Sequence, residues 1–347
     1  MSDSMRKKSP YSKEAPHPWR NMMLAGTAVA LASAALVVRR RTQQAERENP
    51  PAGQFIEVDG VRLHYVERGQ GQPLVLLHGN GTMIQDFDVS GLLDLASENY
   101  RVIAFDRPGY GYSERPRTTL WTPTAQARLL HRALGRLGVE KAIVVGHSWG
   151  ALVAVAMALE FPKDVRGLAL LSGYYYPSMR LDVPLASPPA IPVIGDLMRY
   201  TVSPLLGRLM WPAILRRLFG PAPVPERFSA YPVWMSLRPS QLRASAAEAA
   251  LMIPAAFRLR SRYHEIAMPV TIMAGADDRQ VDPHRQSERL HAELPQSDLN
   301  LAPGAGHMIH HLVPHEVMAA IDAVASAVRT EGRRMPQLAY PAPGTLQ

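Results

Sequence analysis

Short, uninterrupted apolar runs recur through the middle of the chain and alternate with longer stretches of helical period. The runs PLVLLHG (73–79), RVIAFD (101–106), AIVVGHS (142–148), GLALLSG (167–173) and VTIMAG (270–275) are too short for ordinary helices and lack polar alternation. Parallel strands covered on both faces read this way. PTAQARLLHRALGRLG (123–138) and WGALVAVAMALEFP (149–162) read instead as helices, the second stopping at proline. Strands alternating with helices predict an α/β fold with right-handed crossovers and a doubly covered sheet. QFIEV-DG-VRLHYVER (54–68) is two alternating runs around Asp59-Gly60, a hairpin leading into that sheet.

The alternation stops between residues 174 and 266, where proline, leucine, methionine and arginine abound. Helical pieces such as LLGRLMWPAILRRLF (205–219) persist there, and long apolar loops without structure are uncommon. An inserted, mainly helical cap over the carboxyl edge of the sheet is expected. The expected layout is a polar tail (1–21), a membrane-spanning segment (22–38), a linker (39–52), the first core part (53–173), the cap (174–266), the second core part (267–330) and a disordered tail (331–347).

The segment MMLAGTAVALASAALVV (22–38) carries no charge and is about 25 Å long as a helix, enough to span a membrane. Arg39, Arg40 and Arg41 follow it directly, which favours an uncleaved single-pass anchor over a signal peptide cleaved near Ala34. Cleavage would instead give a secreted or periplasmic protein. Basic residues flank both ends, so orientation stays open. The absence of cysteine excludes disulfides, thiolate metal sites and cysteine nucleophiles. Much of the +8 formal charge lies between Tyr174 and Arg262, with eleven arginines against four acids. Such a face suits an anionic membrane surface. No nucleic-acid motif accompanies it, so nucleic acid is not an expected partner.

GHSWGA (146–151) joins an apolar strand to an apolar helix, the setting of a serine nucleophile on a sharp turn. Gly146 and Gly150 permit that turn. A weakly nucleophilic hydroxyl needs a base, a group orienting the base, and donors for an oxyanion. MAGADDRQVDP (273–283) places Asp278 just past a strand, with Asp277 and Asp282 as neighbours. LAPGAGHMIHH (301–311) then places His307 in a loop after the strand-like DLNL (298–301). His310, His311 and His315 lie nearby, but no carboxylate sits at a metal-motif spacing. Serine, histidine, aspartate and water suffice for acyl transfer, so neither cofactor nor metal is implied.

Ser148, Asp278 and His307 follow nucleophile–acid–base order, each at a strand end. With HGNG (78–81) and DRPGYGYS (106–113), the chain resembles the capped α/β-hydrolase superfamily over residues 54–330. The resemblance implies a mostly parallel sheet with an N-terminal hairpin, helices on both faces and an inserted helical cap. It implies oxyanion-hole N–H groups at Asn80 and Trp149, with His78 and Gly79 shaping the loop. Relatives resembling haloalkane dehalogenases and epoxide hydrolases use aspartate where this chain has Ser148. A carboxylic ester hydrolase of esterase or lipase type, acting on a small apolar ester, is the expected activity. A carbon–carbon bond hydrolase, a cofactor-independent perhydrolase and a catalytically silent binding protein are the alternatives. Tyr174, Tyr175, Tyr176, Met210, Trp211 and Trp234 are the expected pocket walls, unless they simply pack the cap.

Overall fold

The computed structural model describes residues 18–179 and 182–334. Eight strands form one sheet: β1 (Gln54–Val58), β2 (Val61–Arg68), β3 (Gln72–Leu77), β4 (Tyr100–Phe105), β5 (Ala142–His147), β6 (Val165–Leu171), β7 (Val270–Gly275) and β8 (Ser297–Ala302). Their order is β1-β2-β4-β3-β5-β6-β7-β8. The hairpin β1–β2 and the pair β2–β4 are antiparallel, and every later pairing is parallel. Strand order reverses beside β3, whose neighbours β4 and β5 follow it in sequence on opposite sides. Open α/β sheets place their ligand crevice at the carboxyl ends of strands flanking such a reversal.

Thirteen α-helices accompany the sheet among the described residues. α1 (Pro18–Glu48) comes first, and α2 (Ile84–Ser90) and α3 (Leu92–Ser97) follow β3. α4 (Pro123–Arg136) precedes β5, and α5 (Trp149–Glu160) follows it. Between β6 and β7 lie α6 (Asp182–Ala186), α7 (Ile194–Tyr200), α8 (Val202–Phe219), α9 (Val233–Ser236) and α10 (Pro239–Leu259). α11 (Arg289–Glu293), α12 (Ile309–Leu312) and α13 (Pro314–Arg334) complete the chain.

The central strands are buried at nearly every position, which explains their continuous apolar sequence. α4 and α5 cover one face; Leu130, Ala133 and Leu134 of α4 join Val144 and Leu152 in one cluster. Thr122 caps α4 by accepting from the Ala125 N–H (3.2 Å), with Pro123 at its first position. α5 is buried on all sides, as a helix without a polar face must be. α2, α3 and α13 cover the other face through Phe87, Leu93, Ile321 and Val324.

Two expected boundaries differ. The helix α1 includes residues 18–21 and continues through 39–48, the stretch expected to be a linker. Its polar residues contain no helix breaker, and one stripe finds partners: Ala45 is buried, and Glu46 pairs with Arg238 (3.0 Å). Residues 331–334, expected in a disordered tail, close α13. The remainder of both expected tails, 1–17 and 335–347, lies outside the described residues.

Candidate active site

Ser148 stands between β5 and α5 with φ 54° and ψ −115°. A residue with a Cβ adopts this conformation only under constraint, and such strain concentrates at functional turns. The constraint is visible on both sides. The Ser148 N–H donates to the Leu171 carbonyl (2.8 Å), extending the sheet ladder into the turn. A methyl group on Gly150 would stand 2.1 Å from the Leu77 carbonyl oxygen, and one on Gly146 would stand 2.4 Å from that of Gly150. Both glycines are therefore required by close backbone approach.

Asp278 follows β7. Its Oδ1 accepts from the Gln280 and Val281 N–H groups (2.7 and 2.9 Å), and its Oδ2 accepts from His307 Nδ1 (2.7 Å). That hydrogen bond leaves His307 Nε2 as the unprotonated nitrogen of the neutral ring. The His307 N–H donates to the Leu218 carbonyl at the end of α8 (2.7 Å), so a helix of the inserted segment holds the loop. Ser148 and His307 wall the same cavity, of about 180 Å³. Gly79, Asn80, Ser245 and Met252 also line it. A larger cavity of about 420 Å³ is lined by Asp278 but by neither Ser148 nor His307. The smaller cavity, which holds both Ser148 and His307, is the candidate site.

Asn80 follows β3, facing the Ser148 turn. Its Oδ1 accepts from Ser245 Oγ (2.5 Å) and Tyr110 Oη (3.2 Å), and its Nδ2 donates to the Ser245 carbonyl (3.1 Å). Trp149 opens α5, where the first backbone N–H groups have no intrahelical acceptor. His78 is buried, donating from Nδ1 to the Gly79 carbonyl (2.8 Å) and accepting the Arg107 N–H at Nε2 (3.0 Å). Burial, with the Arg107 guanidinium, lowers its pKa to about 4, which keeps it neutral.

The expected aromatic walls are elsewhere. Tyr175 and Tyr176 are buried in the core, both backbone N–H groups donating to Gln286 Oε1 (2.7 Å each). Tyr174 borders the larger cavity. Trp211 stacks near Tyr231 (ring centroids 6.2 Å apart), Trp234 lies under Arg41, and Met210 is exposed. The actual walls include small and aliphatic residues of α6 and α10, such as Val183, Ala186 and Ala249. Isolated sequence signals favour bulky aromatics and overlook such residues.

Two buried networks also escaped the sequence reading. Arg107 binds Glu248 of α10 through two nitrogens (2.5 and 3.1 Å) and the carbonyls of His78 and Gly79 (2.7 and 2.8 Å). Behind the Ser148 turn, Asp86 accepts from Nε2 of His310 (3.1 Å) and of His311 (2.8 Å). Burial opposes the Asp86 charge, yet the two imidazoles hold its carboxyl well below the usual range. These three side chains could approach one metal ion, but their hydrogen bonds already account for one another. His147, buried beside His310 (ring centroids 4.5 Å), donates to the His307 carbonyl (3.1 Å). Burial and the neighbouring His310 and His307 depress its pKa far below the ordinary value.

The family profile described as alpha/beta hydrolase fold matches residues 72–314. Haloalkane dehalogenase 2 of Mycobacterium tuberculosis is 29% identical over 274 residues, covering 75% of this chain and 90% of the relative. The 2-hydroxymuconate semialdehyde hydrolase of Pseudomonas putida is 35% identical over 130 residues, 37% of this chain and 45% of that protein. Among solved structures, an esterase from Rhodococcus sp. aligns with TM-score 0.61 and 25% identity, covering 79% of this chain and 98% of its own. The sheet order, the strained serine turn and the extent of the matched profile agree: the chain belongs to the alpha/beta hydrolase fold family.

Proposed function

We propose that the protein is a serine hydrolase cleaving a carboxylic ester through an acyl-enzyme intermediate. The carrying observation is the shared cavity of Ser148 and His307, with Asp278 bound to the far side of the imidazole (2.7 Å). In this reading His307 removes the Ser148 proton as the hydroxyl attacks the ester carbonyl. Asp278 holds the tautomer and stabilises the imidazolium. The N–H groups of Asn80 and Trp149 bind the tetrahedral oxyanion. His307 protonates the departing alcohol and then activates water, which releases the acid and restores Ser148. The cap, taken as residues 174–266, closes over a small apolar ester. The aliphatic lining supports such a substrate, and the esterase structure supports ester chemistry.

The reading extends to α1 as an uncleaved membrane anchor. α1 is long and apolar enough to cross a bilayer by length and composition, and its carboxyl half docks on the rest of the protein through buried Val38 and Ala45. A second reading, carbon–carbon bond hydrolysis on the same residues, draws on the likeness to the semialdehyde hydrolase. The test is turnover of nitrophenyl esters of increasing chain length beside a dienol-ketone substrate, with Ser148→Ala in parallel. The ester reading predicts ester turnover that the variant reduces on the order of 10⁴-fold or more. Turnover of the dienol-ketone alone would favour the second reading, and equal ester rates in both proteins would sink the first.

A further inference from the structure

The segment between β6 and β7 carries an unusual exposed surface. Val193, Ile194, Leu197 and Tyr200 are exposed on α7 and the turn before it, Val193 by 78%. Along α8, Val202, Leu206 and Leu209 are exposed at helical spacing and form one stripe, Leu209 also by 78%. A water-facing surface rarely gathers so many large apolar side chains in one place.

The position of α1 indicates what covers this surface. Within α1 the shielded residues are Leu31, Ala34, Ala35, Val38, Thr42, Ala45 and Glu46, one stripe of a helix otherwise exposed over its apolar part. The elements α1 packs against most are α7, α8 and α9. Those around α9 meet its polar end: Trp234 lies under Arg41 and Arg238 pairs with Glu46. α7 and α8 are the other elements packed on α1, and the shielded positions Leu31 to Val38 fall in the last part of its uncharged run. That part is about 10 Å long at the rise of a helix. Two helices alongside the final 10 Å or so of a membrane-spanning segment stand at the depth of the lipid headgroups and upper acyl chains. An amphipathic surface helix settles at comparable depth, roughly 5–10 Å into that boundary.

We propose that the exposed apolar face of α7 and α8 is seated in the same lipid bilayer that α1 crosses. The inference rests on reading α1 as a membrane anchor. The charges fit an anionic headgroup layer: Arg39, Arg40 and Arg41 follow the apolar run, and exposed Arg216 and Arg217 lie at the opposite end of α8 from Val202. Arg208, between the exposed leucines, has a stem long enough to carry its charge to headgroup level. α8 then joins the two environments. Its first turns face lipid, while Leu218 near its end lines the Ser148 cavity and accepts the His307 N–H (2.7 Å). The lipid-seated face and the Ser148 cavity then lie toward opposite ends of α8.

The chain has no cysteine, so single labelling sites can be placed in the full-length protein. Leu206→Cys, Leu209→Cys, Ala28→Cys in the anchor and Glu140→Cys at the amino edge of β5 would each carry an environment-sensitive fluorophore. The probe is a phosphatidylcholine–phosphatidylglycerol vesicle containing spin-labelled lipid. The proposal predicts blue-shifted, quenched emission at positions 28, 206 and 209 and neither effect at 140. Quenching at 28 alone would overturn the proposal and leave the anchor intact. Quenching at none of the four would overturn both, and quenching at 206 and 209 without 28 would remove the anchor and with it the shared-bilayer proposal, leaving only a peripheral lipid contact of this face. As a second readout, Leu206→Glu with Leu209→Glu should lower turnover of a vesicle-dissolved long-chain ester about tenfold. Turnover of a water-soluble acetate should be unchanged, and an equal loss on both esters would contradict lipid seating.

Discussion

Arg107 and Glu248 form a fully buried ion pair between the loop after β4 and α10. Glu248 Oε2 also accepts from Tyr110 Oη (2.7 Å), and Tyr110 reaches Asn80 (3.2 Å). One buried charge pair thus holds the carbonyls of His78 and Gly79 and the Asn80 side chain together. Removing one partner leaves the other charged and without compensation in a dry interior. Glu248→Ala should destabilise the protein by about 3–5 kcal/mol, measured by urea unfolding. A loss near zero would mean that Arg107 finds another partner. Arg107 was legible within DRPGYGYS, but Glu248 stands 141 residues later among alanines and carries no local signal. Asp86 and the histidines 310 and 311 show the same limit. Their pairing spans more than 220 residues and depends on α2 meeting α12, which no spacing encodes. Ser148 and Asp278 left a trace because each follows a continuously apolar strand, β5 or β7, whereas His307 follows the half-polar, alternating β8 and was marked by its glycine-rich loop.

At the scale of elements, two glycines in helices should respond oppositely to alanine. Gly135 in α4 would meet nothing within 4 Å, so Gly135→Ala should stabilise the protein by roughly 0.5–1 kcal/mol through helix propensity alone. Gly150 opens α5 against the Leu77 carbonyl, so Gly150→Ala must displace backbone and should cost about 3 kcal/mol or more. Thermal unfolding of the two variants checks both signs, and a tolerated Gly150→Ala would contradict the close helix–strand packing. The strands and α4 matched their expected positions because burial on both faces, or on one helical face, leaves a periodic trace. The polar half of α1 left none. Its docking relies on Ala45, the Glu46–Arg238 ion pair and Arg41 over Trp234, contacts that its charged composition did not announce, so it resembled a linker.

At the scale of the whole molecule, buried neutral histidines tie stability to pH. The folded His78 pKa is about 4, against 6.5 for the ordinary side chain. As pH falls below 6.5 the unfolded chain takes up a proton that the folded protein refuses until about pH 4. Stability present above pH 6.5 is therefore lost between those values, by about 3 kcal/mol for His78 alone. The depressed pKa of His147 acts in the same direction. Urea unfolding at about pH 7 and about pH 5 should show the decline, and a His78→Asn variant should show a shallower one. An unchanged slope in the variant would mean that His78 does not contribute.

The assembled molecule presents the strained Ser148 turn at the carboxyl end of β5, His307 on the same cavity, and an exposed apolar face on α7 and α8. All of the proposed chemistry rests on Ser148 as the nucleophile. The most direct measurement is intact-mass and peptide mapping after reaction with a fluorophosphonate, which captures an activated serine covalently and releases fluoride. One adduct per chain is expected, on Ser148, with ester turnover lost in proportion and labelling slowed strongly in His307→Ala. An unlabelled Ser148 in a protein that still turns over ester, or an adduct on another residue, would contradict that role.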